Sequence, residues 1–317
     1  MERSLMADLR SWQDSPRRKP LLLTGVRQSG KTWLLKEFGR RHFQRLAYVN
    51  FDEDPSLGEF FTATKDVDRL IPNLAMATGQ RIVPGETLLV LDEIQICPEA
   101  LNALKYFREN APEYHVAAAG SLLGVALARP SSFPVGQVDF RNLGPLTFSE
   151  FLGANGQSNL AEYSGSITAL ETIPRPFSEP LQEALKLYLV TGGMPEPVRL
   201  WTEYHDPELV EEALSAIISS YERDFAKYAP VRDFPKLSLI WRSMPSQLSR
   251  ENRKFLYQSV KAGARAREYE DALQWLVDAS LVVKVQRSTS YGLPLSAYDD
   301  LAAFKLYSVD LGVLSRL

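Results

Sequence analysis

Gly25-Val26-Arg27-Gln28-Ser29-Gly30-Lys31-Thr32 sets two glycines five positions apart and closes on a lysine and a threonine. Glycines at those places let the main chain turn tightly and come close to a ligand, while successive backbone N–H groups line the concave side. A loop of this kind cradles phosphate oxygens; Lys31 adds a cation for the β- and γ-phosphates, and the Thr32 hydroxyl is a ligand for a magnesium ion carried by them. A glycine turn ahead of an amphipathic helix is spelled with the same letters, so the flanks have to decide. A second pair, Asp92 and Glu93, ends the apolar run Leu88 to Leu91. Two carboxylates there have separate jobs: Asp92 holds the magnesium shell, and Glu93 orients and polarises an attacking water. Taken alone, such a pair could instead cap the next helix.

The elements that must position these groups are readable. Leu21 to Thr24 is a short buried strand, and WLLKEFGRR after Thr32 is a helix with Leu34, Leu35 and Phe38 on one face. Strand, loop and helix in that order aim the helix N-terminus at the phosphate. Leu46 to Phe51 and Leu88 to Leu91 are further strands, the second apolar throughout as in a parallel sheet covered on both faces. PEALNALKYFRENAP is an amphipathic helix, with Leu101, Leu104, Tyr106 and Phe107 apolar, and YHVAAAGS is another buried strand. In P-loop ATPases with an adjacent catalytic glutamate, an extra strand separates the phosphate-loop strand from the Asp-Glu strand, and a polar residue at its end senses the γ-phosphate. Ser121 stands in that place; a serine capping the following helix is the alternative.

GVRQSGKTWLLKEFG, NFDE, LDEIQICPEALNALKYF, AAGSLLGVAL, SFPVGQVDF, GPLTFSEFL and TGGMPEPV together resemble the prokaryotic AAA-type P-loop ATPase family that carries a C-terminal domain of unknown function. The resemblance runs from about residue 5 to the C-terminus. It implies an α/β fold with a doubly wound parallel sheet, ATP and Mg2+ as ligands, and hydrolysis by Lys31, Glu93 and Ser121, with Thr32 and Asp92 on the metal. It implies no particular biological task. Gln137 stands where relatives usually have a basic residue, which weakens an arginine-finger role there. Arg129 and Arg141 flank the loop after the sensor strand and are the remaining arginines that could meet a neighbouring subunit's γ-phosphate, in a homo-oligomer; solvated loop arginines are the plainer reading.

Beyond residue 155 the composition changes. Residues 1–155 read as the ATPase core, 156–235 as a helical lid or linker, and 236–317 as a winged-helix-like domain with the start of a further portion; relatives continue past FKLYSVDLGVL. The stretch 153 to 180 concentrates Gly, Ser and Pro and predicts a connection with one short helix. LQEALKLYLV and ELVEEALSAIISSYERDFAKY are amphipathic helices around the breaker-rich GGMPEP. Arg223, Asp224 and Lys227 lie on the second, where a solvated face is the plainer reading. Residues 236 to 290 read as helix, short helix, long helix and hairpin strand, with ten basic against five acidic side chains. Arg250, Arg253, Lys254, Arg265 and Arg267 could contact DNA phosphates there, although such domains also dock proteins.

A chain of 317 residues, 45% apolar and 24% charged, is ordinary globular material, and a net charge of −3 gives no overall attraction to nucleic acid or anionic membrane. No secretory leader or membrane-spanning run is visible, so a cytoplasmic location is expected. Cys97 is alone, and His42, His115 and His205 are scattered, which leaves no spacing for a zinc site. Asn-Lys-x-Asp for guanine is missing. The expected function is Mg-ATP hydrolysis that drives or switches an interaction with a macromolecular partner, protein or DNA. The alternatives are a non-hydrolysing ATP-gated binding module and a small-molecule kinase; a kinase must exclude water, whereas Glu93 beside Asp92 suits activating it.

Overall fold

The computed structural model describes residues 1–121, 136–168 and 172–317. They form two compact units, residues 2–144 and 145–317.

The first unit is a five-stranded parallel sheet. Its strands are β1 (Leu21–Thr24), β2 (Arg45–Asn50), β3 (Thr87–Asp92), β4 (His115–Ala119) and β5 (Asp139–Asn142), in the spatial order β2-β3-β4-β1-β5. All four ladders are parallel. β4 therefore lies between the phosphate-loop strand and the Asp-Glu strand, and the strand order changes direction beside β1, where an open α/β sheet leaves a crevice at its carboxyl edge.

Alternation along the strands sorts the core into two layers. Leu22, Leu89, Leu91, Val116 and Ala118 face α3 (Gly58–Ala63), α4 (Val67–Thr78) and α5 (Pro98–Asn110), through residues such as Phe61, Leu70, Leu74, Leu101 and Leu104. Leu21, Leu23, Leu88, Val90, Ala117 and Ala119 face α1 (Leu5–Gln13) and α2 (Lys31–His42), through Leu9, Trp12, Leu34, Leu35 and Phe38. This two-sided burial is why those strands carry unbroken apolar runs. β5 has no such run: its residues alternate between half-buried and exposed, because it is the edge strand, and the sequence gives no periodic signal for it.

The second unit begins with α6 (Phe148–Ala154), whose capping box pairs Thr147 with Glu150. α7 (Ser158–Ser166) and α8 (Arg175–Thr191) follow. The breaker-rich stretch is thus more helical than its composition implies. α8 starts at Arg175 and carries Pro176 in its first turn, where the missing N–H has no intrahelical partner to lose. Pro180 lies inside the helix and gives up only the bond that would reach back to Pro176.

α9 (Pro195–Tyr204) and α10 (Pro207–Tyr228) lead to α11 (Phe234–Leu248), α12 (Tyr257–Val260) and α13 (Ala266–Asp278). Trp241 is fully buried among Tyr221 and Phe225, both edge-on to it, and Phe225 also meets Trp275 edge-on. An antiparallel hairpin of β6 (Val282–Ser288) and β7 (Asp299–Ser308) precedes the last helix, α14 (Leu311–Arg316). No helix among the described residues is long and apolar enough to cross a membrane.

Candidate nucleotide site

β1 ends at Thr24 and α2 begins at Lys31, so the six residues between them form the loop itself. Gly25 has φ +153°, and a Cβ there would stand 2.2 Å from the Leu143 carbonyl oxygen, so only glycine lets the loop rest on the chain leaving β5. Gly30 caps α2 with φ +93°. Val26 and Ser29 are buried, while Arg27 and Gln28 are exposed at the crest.

Lys31 is 8% exposed although it carries an ammonium. Its Nζ donates to the carbonyl oxygens of Gly25 at 3.1 Å and Val26 at 3.0 Å, so the side chain folds back over its own loop. Burial pulls its pKa down from the usual lysine value, against the opposing pull of Glu93 and Asp92, and nearby Arg27 lowers it further. A desolvated cation held by two neutral acceptors is short of negative charge, which a polyphosphate would supply.

Thr32 and Asp92 come from α2 and the end of β3 and meet directly. Thr32 Oγ1 donates to Asp92 Oδ2 at 2.7 Å. The Tyr48 hydroxyl, from the neighbouring strand β2, donates to the same oxygen at 2.8 Å, and Asp92 Oδ1 accepts the Glu93 N–H at 3.0 Å. Burial, and then the bond to Asp92, push the Tyr48 pKa well above the usual phenol range, so the hydroxyl stays a donor. The Lys36 ammonium sits 3.6 Å from the Tyr48 ring centroid, and Asn50 donates to the Tyr48 oxygen at 3.3 Å.

Glu93 follows with φ +52°, a left-handed conformation uncommon outside glycine, which turns the chain sharply off the strand end. Gln95 Nε2 donates to Glu93 Oε2, and Gln95 Oε1 is buried with no partner. Ser121 comes two residues after the end of β4, half-buried, at the same carboxyl edge; the preceding Gly120 N–H bonds the Leu23 oxygen of β1 at 3.2 Å. The candidates for binding and hydrolysing the nucleotide, Gly25 to Thr32, Asp92, Glu93 and Ser121, therefore lie on the first unit, in the loop after β1, the first turn of α2 and the ends of β3 and β4, whereas Arg250, Arg253, Lys254, Arg265 and Arg267 lie on the second. Arg141 lies within β5, its guanidinium donating to the Phe140 carbonyl at 2.8 Å, and Arg129 lies outside the described residues.

Two observations test whether the loop suits a phosphate ligand and a metal. Ser29 Oγ is fully buried in the loop and has no hydrogen-bond partner, an orphan that a ligand oxygen would satisfy. No group of three or more His, Cys, Asp and Glu among the described residues could hold a metal by itself. A cation between Thr32 and Asp92 must then draw its remaining ligands from phosphate and water, which is how magnesium is commonly bound. Tyr48 and Gln95 belong to no motif legible in the sequence, since both reach the site only through the sheet order and the turn after Asp92. A tyrosine two positions before the end of β2 was the one visible signal.

Residues 17–152 match the family model described as AAA domain, and residues 182–317 match one described as a domain of unknown function. The Walker-type ATPase of Pyrococcus abyssi is similar in structure, with a TM-score of 0.58 at 15% identity over 99% of this chain and 95% of that one. Weaker likenesses include the Aeropyrum pernix ORC1 protein solved in complex with DNA, with a TM-score of 0.38 at 14% identity over 100% and 92% of the two chains. AMPPCP-bound DnaA from Aquifex aeolicus gives 0.31 at 13% identity over 86% of each. No curated protein matches the sequence. The chain pairs an AAA domain of P-loop ATPase fold with a C-terminal domain of unknown function.

Proposed function

We propose that this AAA-domain protein binds Mg-ATP in the loop Gly25–Thr32 and hydrolyses it, and that the nucleotide state switches an interaction of residues 145–317 with a macromolecular partner. The observation that carries the reading is the meeting of Thr32 and Asp92 at 2.7 Å beneath a loop whose lysine is buried and whose Ser29 hydroxyl is unpartnered. Lys31 would turn from its own carbonyls to the β- and γ-phosphates, and the backbone N–H groups of Ser29 to Thr32 would take the remaining oxygens. Thr32 and Asp92 would hold Mg2+, which supplies charge neutralisation on the phosphates when bound. Tyr48 keeps the Asp92 carboxylate oriented for that role.

Glu93, one residue beyond Asp92, would accept a proton from the attacking water. Its bond to Gln95 fixes where its carboxylate stands. Ser121, at the end of the strand between β1 and β3, would donate to the γ-phosphate. Bounds of 1–155, 156–235 and 236–317 remain our division of the chain by role. The order α11, α12, α13 and a hairpin supports a winged-helix-like arrangement, and Lys254, Arg287 and Lys305 line a groove of about 500 Å3 against that hairpin, so a DNA or an acidic protein surface is the partner class it would suit. A homo-oligomer would give Arg141 a neighbouring γ-phosphate to reach.

The test is turnover with Mg-ATP and no added acceptor. Release of phosphate separates hydrolysis from both the kinase and the gated-binding alternative. Glu93→Gln keeps the shape and removes the charge, so turnover should fall by roughly 10²-fold or more while ATP still binds. Unchanged turnover in that variant would remove Glu93 from the reaction.

A further inference from the structure

Arg3 lies outside every motif read from the sequence, yet it is 6% exposed and therefore a buried cation. Its Nη1 donates to the Ser29 carbonyl oxygen at 3.0 Å, and its Nη2 donates to the Gly144 carbonyl oxygen at 2.6 Å. One guanidinium thus bridges the phosphate loop and the segment leaving β5. That segment already supports the other end of the loop: Leu143 N–H bonds the Thr24 oxygen at 2.8 Å, and its own carbonyl leaves no room for a side chain at Gly25.

The peptide bond turns this contact into a consequence for ligand binding. In a trans peptide the C=O and the following N–H point in opposite directions. Holding the Ser29 carbonyl toward Arg3 therefore sends the Gly30 N–H away from Arg3. Neither residue of that peptide fixes its orientation by a side-chain hydrogen bond, because Gly30 has no side chain and the Ser29 hydroxyl makes no bond. A charge-assisted donor on a carbonyl also polarises the peptide and strengthens its N–H as a donor.

We propose that Arg3 is a positioning residue for the phosphate loop, holding the Ser29–Gly30 peptide so that the Gly30 N–H is presented to a bound polyphosphate. This rests on the phosphate-binding reading of the loop. Arg3 touches no ligand. It acts through one peptide plane, and the chemical class it serves is any magnesium-bound di- or triphosphate, whatever the base. A lysine in its place would keep the charge but reach one carbonyl rather than both.

The experiment titrates the full chain with Mg-ATP and, separately, with inorganic triphosphate and magnesium, by calorimetry, alongside thermal melting without ligand. Arg3→Ala should weaken both ligands by on the order of tenfold, the scale of one hydrogen bond involving a charged group, and Arg3→Lys should fall between it and the parent. Triphosphate carries no base or sugar, so equal losses on the two ligands place the effect at the phosphates. An Arg3→Ala chain that binds both within twofold of the parent overturns the proposal, even if it melts lower, and so does a loss on ATP without a loss on triphosphate. If Arg3→Ala does not fold, Arg3→Lys decides: an intermediate, matched loss on both ligands supports the proposal, and parent affinity overturns it. A parent that binds neither ligand removes the phosphate-loop reading and this proposal with it, an outcome distinct from a parent that binds beside an indifferent variant.

Discussion

Residues 2–144 bury Ser29, Lys31 and Asp92 side by side, and residues 145–317 bury Asp233, Gln247 and Asp310, but the two sets are partnered differently. For these three residues of the second unit the bonds close on the chain itself, although the buried ring N–H groups of Trp241 and Trp275 in the same unit have no partner. Asp310 accepts the Gly193 N–H at 2.6 Å with one oxygen and the Val313 N–H at 2.9 Å with the other, capping α14. Gln247 accepts the Leu256 N–H at 2.7 Å and donates to Ser243 at 2.9 Å, and Asp233 pairs with Lys236 at 2.9 Å and with Arg232 at 3.2 Å. In the first unit the bonds stop short: Ser29 Oγ has no partner, and Lys31 bonds only neutral carbonyls. Buried polarity satisfied within the chain is scaffold, whereas buried polarity that converges on a sheet's carboxyl edge and stays short of partners is a place for a ligand.

The largest effect that could break this contrast is at Lys31. Lys31→Ala removes the cation that would face the β- and γ-phosphates, so Mg-ATP affinity should fall by on the order of 10²-fold or more. Stability should hold or rise, because a desolvated ammonium costs the folded state. Calorimetry and melting on the same preparation read both quantities. Equal affinity in the variant and the parent would mean that Lys31 is scaffold after all.

Asp310→Ala should do the reverse. It strands two buried backbone N–H groups, at Gly193 and Val313, and should cost roughly 2–4 kcal/mol of stability. Nucleotide affinity should not change, since Asp310 belongs to the other unit. Denaturant unfolding measures the first and calorimetry the second. A variant that unfolds like the parent would show that these bonds contribute nothing net, and the scaffold half of the comparison would fail.

The legibility of the two units follows the same physics. β1, β3 and β4 are covered on both faces, so each shows as an apolar run, and the loop after β1 is short enough for its residues to be neighbours in sequence as well as in space. The edge strand β5, half exposed, carries no comparable pattern, and in α4 the helical spacing of Val67, Leu70, Ile71 and Leu74 is interrupted by Pro72, a residue that reads as a breaker. Arg3 reaches Ser29 across 26 residues and Gly144 across 141, and no spacing rule encodes either distance. Asp310 and Gly193 are 117 apart, in DLG and TGG segments that look like turn material until the fold joins them. What could be read was local; what could not was set by which distant segments the sheet and the helices bring together.

His115 sharpens the comparison, because it is a buried polar residue of the site-bearing unit that should behave as scaffold. It opens β4 at the edge opposite the loop, edge-on to Trp12 at 6.0 Å and to Phe43 at 5.0 Å. Its Nδ1 has no partner. Burial, with Arg18 nearby, pushes its pKa down to about 4 from the usual 6.5. A depressed folded-state pKa means that, as the pH falls below 6.5, the unfolded chain takes up the proton first. Stability is then lost progressively between pH 6.5 and about 4, by at most about 1.4 kcal/mol per pH unit, and by less where solvent screens the ring. His115→Phe keeps an aromatic ring among Trp12 and Phe43 and cannot titrate, so its stability should depend less steeply on pH across that window, while Mg-ATP affinity at pH 7.5 stays that of the parent. Parallel stability curves for the two chains would show that the imidazole does not titrate out of this pocket. A change in nucleotide affinity would mean that an orphaned polar atom far from the loop reports on the ligand too, and the distinction between site and scaffold would have to be drawn by more than position on the sheet.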